Sequence, residues 1–272
     1  MLLRRHTWAI SRHDMPIEYD DIGRGPNVVV LVHGHPFNRS MWWPQVEYLR
    51  ERGWRVIVPD LRGYGNSKAP AGKTTLDVFA DDIVAVLDAL GIGGVVIGGL
   101  SMGGQIAMEF CRTRAARVRG LILAATFPQD ETPDGRRERQ QMAGRLLRQG
   151  MERYATEVLP KMLARSSIER CPELAQHVLA MMQNTDPLGA AAALRGRAVR
   201  PSYEATLASL LVPSLIIAGS EDSFTTRADA ERMRELLRNS ELVWLPGIGH
   251  MPNLEAPEEF NAAMWRLLES IP

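Results

Sequence analysis

An α/β fold, with a mostly parallel central sheet flanked by helices and one inserted helical block, is what the sequence predicts, and three observations carry it. Short apolar runs rich in β-branched residues, such as Asn27-Val28-Val29-Val30-Leu31-Val32 and Arg55-Val56-Ile57-Val58-Pro59, alternate with helical periodicities and no hairpin intervenes. That alternation is the mark of βαβ units. From about Phe127 to Leu207 the strand-like runs stop, and they resume at Pro213-Ser214-Leu215-Ile216-Ile217-Ala218. Finally, the run Val95-Val96-Ile97 leads through a glycine-flanked serine into a helix.

Taken in order, Thr7 to Ile10 and Ile17 to Asp20 alternate around His13-Asp14, which predicts an N-terminal hairpin at a sheet edge. The Asn27-to-Val32 run is apolar throughout, as strands buried on both faces are. It ends in His33-Gly34-His35-Pro36-Phe37, a loop at a strand's carboxyl end, where open α/β sheets place their ligand sites. Trp42 to Arg52 reads as a helix, and Asp60-Leu61-Arg62-Gly63-Tyr64-Gly65-Asn66-Ser67 as a loop. Leu76 to Leu90 is amphipathic, with Phe79, Ile83, Val86, Leu87 and Leu90 on one side. Gly120 to Ala125 is the next strand. The helical segments that follow are rich in arginine, methionine and alanine and are separated by Asp134-Gly135, Cys171-Pro172 and Asp186-Pro187. Beyond the strand at 213–218 come a helix from Ala228 to Leu237, a strand at Leu242-Val243-Trp244-Leu245 and a helix from Glu258 to Leu268. The expected organisation is a core at 1–127, a helical cap at 128–207, and the rest of the core at 208–272.

Composition narrows the function classes. At 272 residues and 45% hydrophobic content the chain can bury one large core. Lys+Arg and Asp+Glu are equal at 32 each, which argues against nucleic acid or an anionic membrane as the main partner. Met1-Leu2-Leu3-Arg4-Arg5-His6 lacks the apolar stretch of a signal peptide, and no run reaches the roughly eighteen apolar residues of a membrane span. A soluble cytoplasmic protein is expected. Cys111 and Cys171 are expected as buried thiols rather than a disulfide. No Cys or His cluster has zinc-like spacing, so no metal is expected.

The chemistry centres on Gly99-Leu100-Ser101-Met102-Gly103. A serine at a sharp strand-to-helix corner has its Oγ pushed outward, and the flanking glycines remove side chains that would strike the facing backbone. The helix that follows aims its first N–H groups at any negative charge that develops nearby. A G-x-S-x-G match alone is weak, because glycine and serine are common in loops; its place between a buried strand and a helix selects it.

Such a serine needs a base, and the base needs an orienting acid. Of the six histidines, His6 and His13 precede the core and His177 falls on a predicted cap helix. His33 and His35 lie in the loop after the first central strand, where a histidine commonly serves the loop's own hydrogen bonds. His250 stands in Pro246-Gly247-Ile248-Gly249-His250-Met251-Pro252, directly after the last strand, where glycines let one side chain aim back across the sheet. The acid should also follow a strand: Gly219-Ser220-Glu221-Asp222 makes Asp222 the candidate, Glu221 its rival and Asp130 a third. Asp60 is read as structural, pairing with N–H groups of its own loop.

Ser101, Asp222 and His250 fall in the chain order of the α/β-hydrolase triad, unlike the orders of chymotrypsin and subtilisin. The His33-Gly34 loop, the Asp60-to-Ser67 segment, the elbow, Gly219-Ser220-Glu221-Asp222 and Gly249-His250 also match that superfamily's order and spacing. The chain resembles it over essentially all of its length outside the cap. It is most similar to the small esterase, 3-oxoadipate enol-lactonase and cofactor-free haloperoxidase branch. The resemblance implies an oxyanion hole made by the backbone N–H groups of Met102 and His35, a His35 imidazole that lines the pocket, a cis His35–Pro36 bond, and no cofactor. Serine at the elbow excludes the aspartate-nucleophile chemistry of haloalkane dehalogenases and epoxide hydrolases.

Met142, Leu146, Leu147, Met151, Met162, Leu163, Met181 and Met182 are read mainly as the cap's own core and its contact with the sheet. Those that face the cleft favour an apolar acyl or lactone group. Arg136-Arg137-Glu138-Arg139, with Arg145 and Arg148, is read as a solvated mixed-charge face. Of Trp42 and Trp43, one is expected to wall the cleft and the other to pack the core. The reading is a serine hydrolase of small, largely apolar esters or lactones, with a small-molecule substrate as its partner. Perhydrolysis or C–C bond hydrolysis on the same triad, and a ligand receptor that has kept the fold, stand as alternatives.

Overall fold

The computed structural model describes residues 7–10 and 15–271. The first half of the chain forms β1 (Thr7–Ile10), β2 (Pro16–Ile22), β3 (Val28–Val32), α1 (Trp43–Arg50), β4 (Arg55–Pro59), α2 (Leu76–Ala89), β5 (Val95–Leu100), α3 (Met102–Arg114) and β6 (Val118–Ala124). Then come helices without strands: α4 (Pro133–Gln149), α5 (Glu152–Met162), α6 (Arg165–Arg170), α7 (Pro172–Gln183), α8 (Pro187–Arg197) and α9 (Glu204–Ser209). The chain closes with β7 (Ser214–Gly219), α10 (Arg227–Leu236), β8 (Ser240–Leu245), α11 (Pro252–Glu255) and α12 (Pro257–Glu269).

The eight described strands form one sheet in the order β1-β2-β4-β3-β5-β6-β7-β8. β1 pairs antiparallel with β2, and β2 antiparallel with β4; every pairing from β4 to β8 is parallel. The predicted hairpin at the sheet edge is therefore present, while its turn at His13-Asp14 lies outside the described residues. β3 is buried along its whole length, because both of its faces are covered. Val30 and Val32 point into one core layer with Phe79, Ile83, Ile106 and Phe110 of α2 and α3. Val29 and Leu31 point into the other, with Val46 and Leu49 of α1 and Phe260 and Met264 of α12. The alternation follows the pleat, so one strand feeds both layers. Each of these side chains contributes about 1.5–3 kcal/mol by leaving water.

Because β3 to β8 run parallel, their carboxyl ends open on the same side, and the loops that follow them converge there. The helices α4 to α9 are inserted at that side. Part of this block has a small core of its own, made of Ala143, Leu146, Met151, Tyr154, Ala190, Ala191 and Leu194. Leu163, Met181 and Met182 instead pack into the layer beneath the sheet, and Leu147 is exposed. No described helix is long and apolar enough to cross a membrane.

The cysteines divide. Cys111 on α3 is buried, and burial pushes its thiol up to about 12. Cys171 is exposed, contrary to the sequence expectation. It caps the N-terminus of α7 at a surface corner between two helices, a place that apolar periodicity does not mark. A thiol reagent at pH 8 should therefore titrate one thiol in the folded protein and two after denaturation; two reactive thiols in the folded state would put Cys111 outside the core.

Candidate active site

Ser101 joins β5 to α3 with φ 55° and ψ −114°, a left-handed conformation that residues with a side chain rarely adopt. The backbone around it explains why the strain persists. The Ser101 N–H donates to the Ala124 carbonyl (2.9 Å), its own carbonyl accepts from Gln105 N–H (3.1 Å), and the Thr126 hydroxyl donates to the same carbonyl (2.8 Å). Ala125, between those two β6-end residues, also has a positive φ of 45°. A Cβ at Gly103 would stand 2.1 Å from the Val32 carbonyl oxygen, and one at Gly99 would stand 2.2 Å from the Gly103 carbonyl. Both glycines are thus required by close approach of backbone to backbone.

The loop after β8 brings His250 to the loop after β7. His250 Nδ1 lies 2.9 Å from both carboxylate oxygens of Asp222, whose side chain is completely buried. Burial alone would raise the Asp222 carboxyl; the neighbouring His250 and the N–H groups of Phe224 and Thr225 outweigh it and hold the carboxyl below its ordinary value. Nδ1 consequently carries the proton that faces the carboxylate, and Nε2 is left as the basic atom. Glu221 is exposed, and Asp130 sits at the surface 3.8 Å from Arg136, so neither rival reaches the imidazole.

Glu255, on the single-turn helix α11, has no counterpart in the sequence reading. Its buried carboxylate accepts from the N–H groups of Gly249 (3.1 Å) and Met251 (3.1 Å), on either side of His250, and from Ala164 N–H (2.8 Å) at the start of α6. The histidine loop is thereby fixed to the inserted helices. The sequence signal, an acidic residue five positions after a loop histidine, is too common to single it out.

On the other side of Ser101 lies the loop after β3. His33 is fully buried: its Nε2 accepts from Leu61 N–H (2.9 Å) and its Nδ1 donates to the Gly34 carbonyl (2.9 Å). Burial lowers its pKa, so it serves the loop as a neutral ring. Asp60 accepts from Asn66 N–H in its own loop and also from Arg39, through the backbone N–H (2.9 Å) and the guanidinium (2.6 Å). The His35–Pro36 bond is cis. The N–H groups of His35 and Met102 donate to no backbone acceptor among the described residues. For Met102 this follows from its place at the first turn of α3, where N–H groups have no partner within the helix. His35 Nδ1 lies 2.8 Å from the Tyr64 hydroxyl. Burial, with Arg197, Arg139 and His33 nearby, holds that imidazole well below its usual pKa and therefore neutral.

Ser101, His250 and His35 share the wall of one cavity of about 480 Å³ between the sheet's loops and the inserted helices. Phe127, Met142, Tyr154, Val158, Met162 and Phe224 give it apolar surface, and Arg139, Lys161 and Arg197 give it charge. Phe224 packs on His250 with ring centroids 4.8 Å apart. Of the cap methionines, Met142 and Met162 reach the cavity. Trp42 packs in the core against Phe260, as one of the pair was expected to do. Trp43 is 43% exposed and does not wall the cleft, because the first position of α1 faces outward. The arginine run on α4 faces solvent at Arg136 and Arg137, which pair with Asp130 and Asp134, while Arg139 reaches the cavity rim bound to Glu131. Tyr154 and Arg197 escaped the sequence reading, since nothing local distinguishes a cavity-facing residue on a helix from one in a helix core, and so did Phe224, in the loop after β7, because a lone loop aromatic does not show what it faces.

A family model described as the alpha/beta hydrolase family matches residues 29–263. The chain is 32% identical over 257 residues to the AB hydrolase superfamily protein YisY of Bacillus subtilis, covering 89% of this chain and 91% of that one. It is 31% identical over 234 residues to 3-oxoadipate enol-lactonase 1 of Acinetobacter baylyi, covering 86% and 85%. Among solved structures, a thermophilic esterase from Thermogutta terrifontis superposes with a TM-score of 0.93 at 34% identity over 97% of this chain and 98% of that one. Strained serine, buried acid and histidine, sheet order and sequence likeness agree, and the chain belongs to the alpha/beta hydrolase family.

Proposed function

We propose that this protein is a serine hydrolase of small carboxylic esters or lactones that works through an acyl-enzyme. The observation that carries the reading is the Asp222–His250 pair, 2.9 Å apart, whose imidazole stands on the wall of a cavity that also holds Ser101 at its strained corner. The likeness to an esterase and to an enol-lactonase supports the choice of ester and lactone.

In this mechanism His250 Nε2 takes the Ser101 proton as Oγ attacks the substrate carbonyl. The oxyanion is met by the N–H groups of Met102 and His35, each such donor being worth about 10²–10³ in rate. The carbon–oxygen bond then breaks, and the leaving alkoxide takes the proton back from His250; in a lactone that alcohol stays attached to the acyl chain. Water attacks the acyl-enzyme with His250 again as base, which releases the acid and restores the serine. Asp222 keeps the imidazole in its Nδ1–H form and stabilises the cation. The helices of 128–207 act as a cap that closes the cavity, and Phe127, Val158 and Met162 suit an apolar acyl chain.

Steady-state assays on p-nitrophenyl esters of graded chain length, and on a matching set of lactones, test the proposal. Wild type should turn over at least one series, and Ser101→Ala should lose roughly 10⁴-fold or more in kcat with an unchanged circular dichroism spectrum. Silence from the wild type on both series would shift the weight to perhydrolysis, C–C hydrolysis or a receptor role.

Asp222→Asn should lower kcat by on the order of 10⁴-fold, whereas Glu221→Gln should stay within about twofold of wild type because that side chain is exposed and away from the ring. The reverse pattern would reassign the acid.

On the acid side, kcat/KM should fall tenfold per pH unit, the slope of one proton. A carboxyl held below its ordinary value remains ionised as pH falls, so Asp222 adds no second proton to that limb. A slope of two would mean that the carboxylate titrates there as well.

A further inference from the structure

Arg197, the last residue of α8, is nine-tenths buried yet faces the cavity. Its Nε donates to Gln105 Oε1 (3.1 Å), and the Gln105 N–H is itself bonded to the Ser101 carbonyl. The guanidinium is therefore tethered, through the Gln105 side chain, to the first turn of the helix that begins at Ser101. None of the described carboxylates pairs with it. Glu131, the acid on that side of the cavity, is occupied by Arg139 and by Arg200 at 2.8 Å. Burial, reinforced by the like charges of Arg139 and Arg200, drives Arg197 well below the usual guanidinium range, which is the mark of a buried cation without its counter-ion. Beside it on the same wall, His35 Nε2 is buried and has no hydrogen-bond partner among the described residues. Arg139 and Lys161 stand further along the wall, so the cavity's cations outnumber its acids, Glu131 and Glu138.

We propose that the physiological substrate carries a carboxylate on its acyl portion, and that Arg197 is the residue that binds it, with His35 Nε2 as a second polar contact, while the ester or lactone carbonyl lies at Ser101. The inference rests on the reading of Ser101 as the nucleophile. It adds that the cavity has an anionic end and an apolar middle. A fork of N–H donors suits a planar carboxylate, because two parallel hydrogen bonds form at once. The number of carbons between the substrate's two carbonyl groups is what a series of chain lengths reads.

The test compares mono-p-nitrophenyl esters of straight dicarboxylic acids of about four to six carbons with their methyl-capped neutral diesters, each measured over a Ser101→Ala blank. In the wild type, kcat/KM for the free acid should exceed that for the capped diester by about 10²-fold. In Arg197→Met that ratio should fall toward one, and Arg197→Lys should keep part of it. A wild-type ratio near one, with both esters cleaved, overturns the carboxylate assignment and leaves the hydrolase reading standing. A ratio in Arg197→Met equal to the wild type's overturns the role of Arg197. No cleavage of either ester by the wild type removes the hydrolase reading and this inference with it. If Arg197→Met fails to fold, inhibition of wild-type turnover of a neutral ester decides: free dicarboxylates should compete and the corresponding diamides should not, and equal inhibition by both overturns the proposal.

Discussion

The left-handed backbone at Ser101 is the constraint on which the rest of the structure depends. Holding a serine at φ 55° costs on the order of 1–3 kcal/mol, and a lone turn would relax. Here the residue cannot relax, because β3 and β6 grip β5 from both sides and α3 lies within contact distance of the end of β3. The Ala124 and Thr126 hydrogen bonds fix the corner from the β6 side. The strain is offset by two apolar layers, each of which buries strand residues against helices. What that cost achieves is position: the hydroxyl stands clear of its own backbone at the carboxyl edge of the sheet.

Buried acids then set the loops that meet this corner. Asp60 gathers Arg39 and Asn66 and holds the loop after β4 against the segment that leads into α1. Glu255 holds the backbone on both sides of His250. Asp222 faces the imidazole itself, and that ring with the Phe224 and Thr225 N–H groups holds its carboxyl below the ordinary value in spite of burial. A carboxylate accepts several N–H groups at once, which lets one side chain fix a loop that has no regular structure of its own. The Ala164 N–H on Glu255 extends this control to the inserted helices, so the position of the histidine loop and the roof of the cavity are coupled through one acid.

The inserted block contributes differently. Its own core is small, and much of its apolar surface is shared with the layer beneath the sheet or with the cavity. A helix in this setting presents one side to a core and another to a ligand space, and both sides carry the same apolar residue types. Charge is what separates them. Arg139 and Arg200 share Glu131, while the guanidinium of Arg197 is left facing the cavity.

The sequence by itself determined the fold class, the strand and helix order, the corner at Ser101 and the loops that carry Asp222 and His250, because these depend on local periodicity, glycine and position after a strand. It also fixed His33 and Asp60 as loop residues. Tertiary structure alone decided the rest. It set the Asp222 carboxylate, and neither Glu221 nor Asp130, beside the His250 ring, since only the meeting of the β7 and β8 loops brings a carboxylate there. It placed Trp43 and Cys171 at the surface and Arg197 and Tyr154 on the cavity, since a helix pattern says which residues share a face and not what that face meets. It supplied Glu255, whose role is a set of hydrogen bonds between segments far apart in the chain. Local chemistry is written in neighbouring residues; a site assembled from distant loops exists only once packing has brought their ends together.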